Sequence, residues 1–325
     1  SNPSYNGSHI FIENEYGRVE IGSPVPVATN MMISDGNIPS KYMNKSIVYL
    51  KQGKVHNPTF LTSAGHLLGN EIVTDSDKTK YSGEPPRTIN YYTPKFALDN
   101  NTRIQIGVSY IPDSSNTLAS SVNKKTTILD TKKIGLENLN KFEIDKSVKD
   151  AITAGIKLER KFSDDICLNI ALTGEYGETK RKAKKLVIKD DRNLQEYKIA
   201  NLKTYNIGSK LKVNNYTFNA CYGHLGKIFT TPEFHKSGNK SYYYNLGVAY
   251  QYYNIITKIS YFGSEAHRNK VNSAKLYISH ALTPGLKSYA EISGYILKGK
   301  PEFYNKLKSK STRGTVSLLG LQLTL

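Results

Sequence analysis

Apolar and polar residues alternate with a period of two through most of the second half of the chain. Ile152, Ala154, Ile156 and Leu158 interleave with Thr153, Gly155, Lys157 and Glu159. Ile166, Leu168, Ile170 and Leu172 interleave with Cys167, Asn169 and Thr173. Tyr205, Ile207, Leu211 and Val213 interleave with Asn206, Gly208, Lys210 and Lys212. Tyr244, Leu246, Val248, Tyr250 and Tyr252 interleave with Asn245, Gly247, Ala249 and Gln251. Successive side chains of a strand point to opposite faces, so this pattern predicts strands with one apolar face and one wet face. The same reasoning places strands near 216–222, 254–262, 273–281, 286–296 and 314–325, and upstream near 9–13, 17–22, 88–92 and 103–110. That makes about thirteen strands.

The links between them sort by length. Short ones fall at 14–16, 94–101, 161–164, 214–215, around 253 and at 282–285. Long ones fall at 24–87, 112–150, 177–204, 223–241, 263–271 and 298–313. Tight turns on one side and long loops on the other are the pattern of a transmembrane antiparallel β-barrel of the outer-membrane type, with short periplasmic turns. A soluble up-and-down barrel is the competing reading, with its apolar face turned inward and filled by Phe, Leu and Val. Here the apolar face ends in tyrosines, as at Tyr244, Tyr250, Tyr252 and Tyr261, which suits a membrane–water boundary. No apolar run approaches the ~18–20 residues of a membrane-spanning helix. If the last strand descends to the periplasm, parity places an odd number of strands before Ser1; three would give a barrel of about sixteen. Ser1-Asn2-Pro3-Ser4 has neither a charged leader nor an apolar core, so the chain reads as a mature form or, by parity, a fragment.

Composition narrows the chemistry. The 325 residues include 45 Lys+Arg against 27 Asp+Glu, a formal charge of +18, with 24 Tyr, no Trp and 2 Cys. Two cysteines exclude a disulfide scaffold and a zinc ribbon. Cys167 and Cys221 share the polar-face parity on strands two apart, which makes direct pairing improbable by the Cα limit of about 7 Å. The histidines at 66, 224, 235, 267 and 280 are scattered without metal-ligand spacing, and those in loops read as solvated. No phosphate-binding glycine loop or hydrolase elbow is present, so neither an enzyme nor a cofactor is expected. A barrel lipase would need a nucleophile and base together, but Ser279 and His280 are adjacent on a strand and diverge. The basic run Thr179-Lys180-Arg181-Lys182-Ala183-Lys184-Lys185 lies between two amphipathic strands, so it reads as an exposed hairpin tip rather than a nucleic-acid site.

Several segments resemble the Gram-negative general porin family. They are Phe11-Ile12-Glu13 through Tyr16-Gly17-Arg18-Val19-Glu20-Ile21-Gly22; Ile89-Asn90-Tyr91-Tyr92-Thr93-Pro94-Lys95-Phe96 followed by Ile106-Gly107-Val108-Ser109-Tyr110-Ile111-Pro112; and Thr283-Pro284-Gly285-Leu286 with the closing 314–325. Order and spacing carry the likeness across the whole chain. It implies a single porin domain over 1–325 that lacks the first strands, integral to the bacterial outer membrane and homotrimeric. It further implies passive diffusion of small hydrophilic solutes and ions, contact with outer-membrane lipids, no nucleic-acid partner, and an inward-folded constriction loop at 24–87. The family usually ends in Phe; this chain ends in Leu325, which keeps the alternation of Leu321 and Leu323.

Strand parity then gives the candidate pore lining. Arg18, Glu20, Arg103, Lys157, Glu159, Glu175, Lys210, Lys212, Lys258, Lys275, Lys287 and Glu291 all fall opposite the apolar face. Cations outnumber anions in that set, which leans the pore toward anions. Among the acids of the 24–87 loop, Asp35 and Glu71 stand with Asp75, Asp77 and Glu84 as candidates to face the basic wall. The alternative for the whole chain is a surface adhesin or structural barrel without an open pore; a decayed, non-inserting remnant is a further one.

Overall fold

A computed structural model of the chain describes residues 8–34, 60–69, 73–74, 86–114, 126–130, 140–144, 147–179, 183–187, 195–197, 200–227, 241–266, 269–299 and 310–323. The first half contains β1 (His9–Asn14), β2 (Gly17–Gly22), α1 (Val27–Met31), β3 (Phe60–Leu61), β4 (Val73–Thr74), β5 (Thr88–Tyr92), β6 (Phe96–Ala97), β7 (Thr102–Asp113), β8 (Thr126–Asp130), β9 (Asn140–Ile144) and β10 (Val148–Ser163). The second half contains β11 (Ile166–Thr179), β12 (Ala183–Val187), β13 (Gln195–Tyr197), β14 (Leu202–Val213), β15 (Tyr216–Gly226), β16 (Ser241–Tyr252), β17 (Ile255–Ala266), β18 (Asn269–Thr283), β19 (Leu286–Gly299) and β20 (Lys310–Leu323).

One sheet dominates. Its path runs β1-β2-β5-β7-β10-β11-β14-β15-β16-β17-β18-β19-β20, with β6 paired to β7 beside it, and every neighbour pair is antiparallel. The thirteen strands of this path are those read from the alternation. Among the described residues β1 and β20 are not paired to each other, and the sheet is the wall of an outer-membrane barrel.

The apolar parity faces outward. Ile152, Ile156, Leu172, Ile207, Leu246, Ile259, Ile292, Leu319 and Leu321 are exposed, while the intervening Thr153, Thr173, Asn206, Asn245, Ser260, Ser273 and Ser293 are buried. In water such a continuous apolar girdle would drive association; in a bilayer it is the surface that meets lipid. A soluble barrel would show the reverse arrangement. Outward-facing rings gather at one end, with Tyr205, Tyr222 and Tyr242 in series at centroid separations of 6.4 Å and Tyr244 5.9 Å from Tyr261.

Four tyrosines lie over the glycine directly opposite in the next strand. The pairs are Tyr243 and Gly223, Tyr244 and Gly263, Tyr295 and Gly314, and Tyr289 and Gly320. A Cβ at any of those glycines would strike the phenol ring. The ring therefore covers backbone that glycine leaves bare, the arrangement expected of an aromatic rescuing a strand glycine.

The short turns match their sequence cues. Asn214 (φ 49) and Tyr253 (φ 47) take the left-handed conformation in the tight links β14–β15 and β16–β17, as two-residue hairpin turns require. One expected long link is short: the pairing of β17 with β18 continues to Ala266 and Asn269, so strand replaces most of 263–271. Two elements were not legible in the alternation. β8, β9, β12 and β13 form a separate four-stranded sheet drawn from two of the long connections, and part of the basic run at 183–187 is a strand within it rather than a hairpin tip. β3 and β4 form a small pair of their own.

Candidate functional site

The site is the inner face of the wall together with two limbs of chain, 25–34 and 60–69, that lie against it. Both limbs belong to the long connection between β2 and β5.

The first limb is built around α1. Five residues are too few to sustain a helix alone, and α1 has no side-chain cap of its own. The wall supplies one. The Val27 N–H donates to Ser109 Oγ at 2.7 Å and the Ala28 N–H to Thr153 Oγ1 at 3.2 Å, with Thr153 Oγ1 in turn 3.1 Å from Ser109 Oγ. These hydroxyls from β7 and β10 satisfy the first donors of the helix, the task normally done by an N-cap residue. The apolar side of α1 fits over Gly107 and Gly155, which are paired in register. A Cβ at Gly107 would meet Val27 Cγ1 at 2.8 Å and Met31 Sδ at 2.9 Å. Asn30 Nδ2 donates to the Tyr92 hydroxyl at 2.9 Å, and Asn90 Nδ2 donates both to the Val25 carbonyl and to Glu20 Oε2 at 2.9 Å.

The second limb runs along the adjoining part of the wall, where Glu175, its anchor, is paired in register with Thr153, an anchor of the first. Ser264 Oγ donates to the Leu61 carbonyl at 2.6 Å and the Tyr243 hydroxyl to the Gly65 carbonyl at 3.1 Å. Phe60, Leu61, Ala64, Leu67 and Leu68 join Ile111, Val148, Leu202, Leu225, Phe262, Val271 and Leu297 in the main buried apolar cluster. At its end Glu175 accepts the Leu67 N–H at 2.9 Å, the Leu68 N–H at 3.0 Å and the Thr204 hydroxyl at 3.1 Å. His66 Nδ1 lies 3.2 Å from Thr204 Oγ1 and 3.7 Å from Glu175 Oε2, and Nε2 lies 2.7 Å from Thr173 Oγ1. One tautomer satisfies every group: Thr173 donates to Nε2, Nδ1–H donates to Thr204, and Thr204 donates to Glu175. His66 is 0% exposed and Glu175 4%. His66 is thus a buried, hydrogen-bonded residue, which corrects the reading of loop histidines as solvated.

The remaining expected residues are placed as follows. Arg18 Nε donates to Glu20 Oε1 at 2.8 Å, its Nη1 reaches Glu13 Oε2 at 3.4 Å, and the guanidinium stacks 4.2 Å from the Phe11 ring centroid. Lys275 Nζ is 3.6 Å from Glu291 Oε2 and Lys95 Nζ is 3.8 Å from Glu159 Oε2. Arg103, Lys157, Lys210 and Lys258 lie in register with polar-face partners: Glu159, Gln105, Asn169 and Ala249 respectively. Asp35 and Glu71 lie outside the described residues. Among the described residues an acid that joins loop and wall is on the wall, Glu175, which accepts the loop's Leu67 and Leu68 N–H groups.

Cys167 is half-buried, Cys221 is buried, and the two are not joined in a disulfide. Ser279 is buried whereas His280 is exposed on the other face. Among the described residues no group of His, Cys, Asp and Glu is arranged to hold a metal ion, and no helix is long and apolar enough to cross a membrane.

The sequence is 36% identical to an uncharacterised protein of Rickettsia bellii, over 98% of this chain and 76% of that protein. It is 36% identical to an uncharacterised protein of Rickettsia felis with the same coverage. Among solved structures, an anion-selective porin from Comamonas acidovorans superposes with a TM-score of 0.48 at 13% identity, over 98% of this chain and 77% of that one. A loop-deletion mutant of OmpT, an outer-membrane protein of Vibrio cholerae, gives 0.47 at 9%, over 98% and 79%. The family model described as Gram-negative porin matches residues 1–296. An antiparallel wall with lipid-compatible residues outside and hydroxyls, amides and charges inside agrees with that match, and the chain belongs to the Gram-negative porin family.

Proposed function

We propose that the chain is a passive diffusion channel for small hydrophilic solutes and ions, leaning toward anions, with residues 24–87 as its constriction and three copies in the membrane. The observation that carries this reading is the way the two limbs lie. They follow the inner wall and are fastened to it through Ser109, Thr153, Glu175, Tyr243 and Ser264. Chain laid along a wall narrows the passage that the wall encloses. Selectivity then follows from the charges lining the remainder. Arg18, Glu20, Arg103, Lys157, Lys210 and Lys258 are the lining residues of this proposal, and Asp35 and Glu71 remain its candidates from the loop. No bond is made or broken in such a passage.

Reconstitution into a planar bilayer tests it. Stepwise conductance proportional to salt, with a reversal potential of anion-selective sign under a salt gradient, is the expected result. A silent bilayer with verified folded protein defeats the channel reading, and a cation-selective sign defeats the charge reading. Cross-linking in the membrane reads the trimer. The four-stranded sheet of β8, β9, β12 and β13 favours a second reading, a surface adhesin or structural barrel without an open pore. Deleting 115–146 and measuring cell-surface binding separates the two.

A further inference from the structure

We propose that the inner wall around β14 carries an oxyanion-binding station, formed by Lys161, Lys210 and Lys212 with Asn169, Asn219 and Thr217. The proposal deepens the channel reading and rests on it for the passage of the anion, but the station itself is a property of the wall.

Two adjacent cross-strand rows define it. In one, Lys161 pairs with Cys167, Cys167 with Lys212, and Lys212 with Thr217. In the next, Glu159 pairs with Asn169, Asn169 with Lys210, and Lys210 with Asn219. Directly opposed side chains have Cβ atoms about 4.5–5.5 Å apart and diagonal ones about 7–8 Å, within reach of lysine. Lys161, Lys210 and Lys212 are all exposed on a parity that faces the interior. Lys210 and Lys212 repel each other on one strand face, and nothing in either row neutralises them. The single carboxylate of the rows, Glu159, has Lys95 at 3.8 Å and Arg103 opposite it. Asp164 and Asp165 are exposed in the β10–β11 turn, beyond the last paired residues.

The donors present identify the ligand class. Ammonium groups, carboxamide N–H groups and a hydroxyl all donate, which suits the oxygens of a carboxylate or phosphate. The Asn169 amide is directed at Cys167 Sγ, 3.6 Å away, a weak acceptor that an oxyanion would displace. The position near the β14–β15 turn places the station at the short-turn mouth, beneath the level at which the limbs of the long connection cover the wall.

Cys167 sits in the first row, between Lys161 and Lys212, and serves as the probe. In a Cys221→Ser parent, folded in detergent, the rates of thiol modification by 2-sulfonatoethyl and 2-trimethylammonioethyl methanethiosulfonate are compared. In each reaction the Cys167 thiolate forms a disulfide with the reagent and methanesulfinate leaves. Thiolate fraction scales both rates alike, so their ratio reads the local field. The anionic reagent is expected to react about tenfold faster. The ratio should fall toward unity in Lys161→Gln/Lys210→Gln/Lys212→Gln, and part of the way in Lys212→Gln alone, which guards against misfolding of the triple variant. At constant ionic strength, inorganic phosphate should slow the anionic reagent more than chloride does. A ratio of one in the parent, an unchanged ratio in the variants, equal effects of phosphate and chloride, or no modification by either reagent would each overturn the station. A silent bilayer with the charge ratio intact overturns the channel and leaves the station standing.

Discussion

Glu175 accepts three hydrogen bonds from a buried position. Replacing it by Ala leaves two backbone N–H groups and a hydroxyl without an acceptor, at about 1–3 kcal/mol each in a dry site and less where water enters. The expected outcome for Glu175→Ala is release of 60–69 from the wall. It would be read as new protease cleavage there and as a larger, noisier single-channel conductance, while the strand content of the wall, read by circular dichroism, persists. Asp99 presents the opposite, solvent-exposed case. The Asn101 N–H at 2.7 Å and the Thr102 hydroxyl at 3.0 Å hold its carboxyl below the usual carboxylate range. A depressed acid contributes its stability above the unfolded value of about 3.9 and loses it as pH falls through the folded value. Amide exchange at Asn101 should therefore be flat from pH 5 to 8, after correction for intrinsic rates, and rise only below the ordinary carboxylate range. Parity alone put Glu175 on the inner face. Its dependence on Leu67 and Leu68 was not legible, because those partners lie more than a hundred positions away in a segment without periodicity.

Strands were the legible elements here, and for a physical reason. Each must present oil-compatible residues to lipid and polar ones inward, so the period of two survives in the sequence. The limbs of the long connection have no such constraint. α1 owes its existence to hydroxyls and glycines on other strands, and its own five residues announce little. Those glycines make a test at this scale. Gly107→Val is compatible with a strand, yet its side chain would occupy the seat of Val27 and Met31. Overpacking of this kind costs about 1–3 kcal/mol. The expected result is α1 pushed toward the centre and a smaller conductance step, opposite in sign to the effect at Glu175. An unchanged step would mean that α1 does not border the conducting path.

For the molecule as a whole, the balance of charge sets the expectation. Forty-five basic residues against 27 acidic ones give a net charge of +18, and several inward acids already have cationic neighbours: Glu20 with Arg18, Glu159 with Lys95, and Glu291 with Lys275. Anion preference should accordingly be clear near 0.1 M salt, where the screening length is about 10 Å, and fade near 1 M, where it is about 3 Å. A preference that survives 1 M salt would point to steric selection instead. The order of strands was legible from alternation and link length together, and the family from the resemblance of segments such as 11–22 and 89–112. The separate four-stranded sheet was not, since it draws on two connections that carry no regular pattern.

The tyrosine–glycine pairs have one more consequence. Two of the four, Tyr289 with Gly320 and Tyr295 with Gly314, fasten β20 to β19. Pegs of this kind join neighbours in sequence, so they can engage as soon as a hairpin forms, before distant partners arrive. The β19–β20 hairpin, with two such pegs, is thereby equipped to fix its own register early.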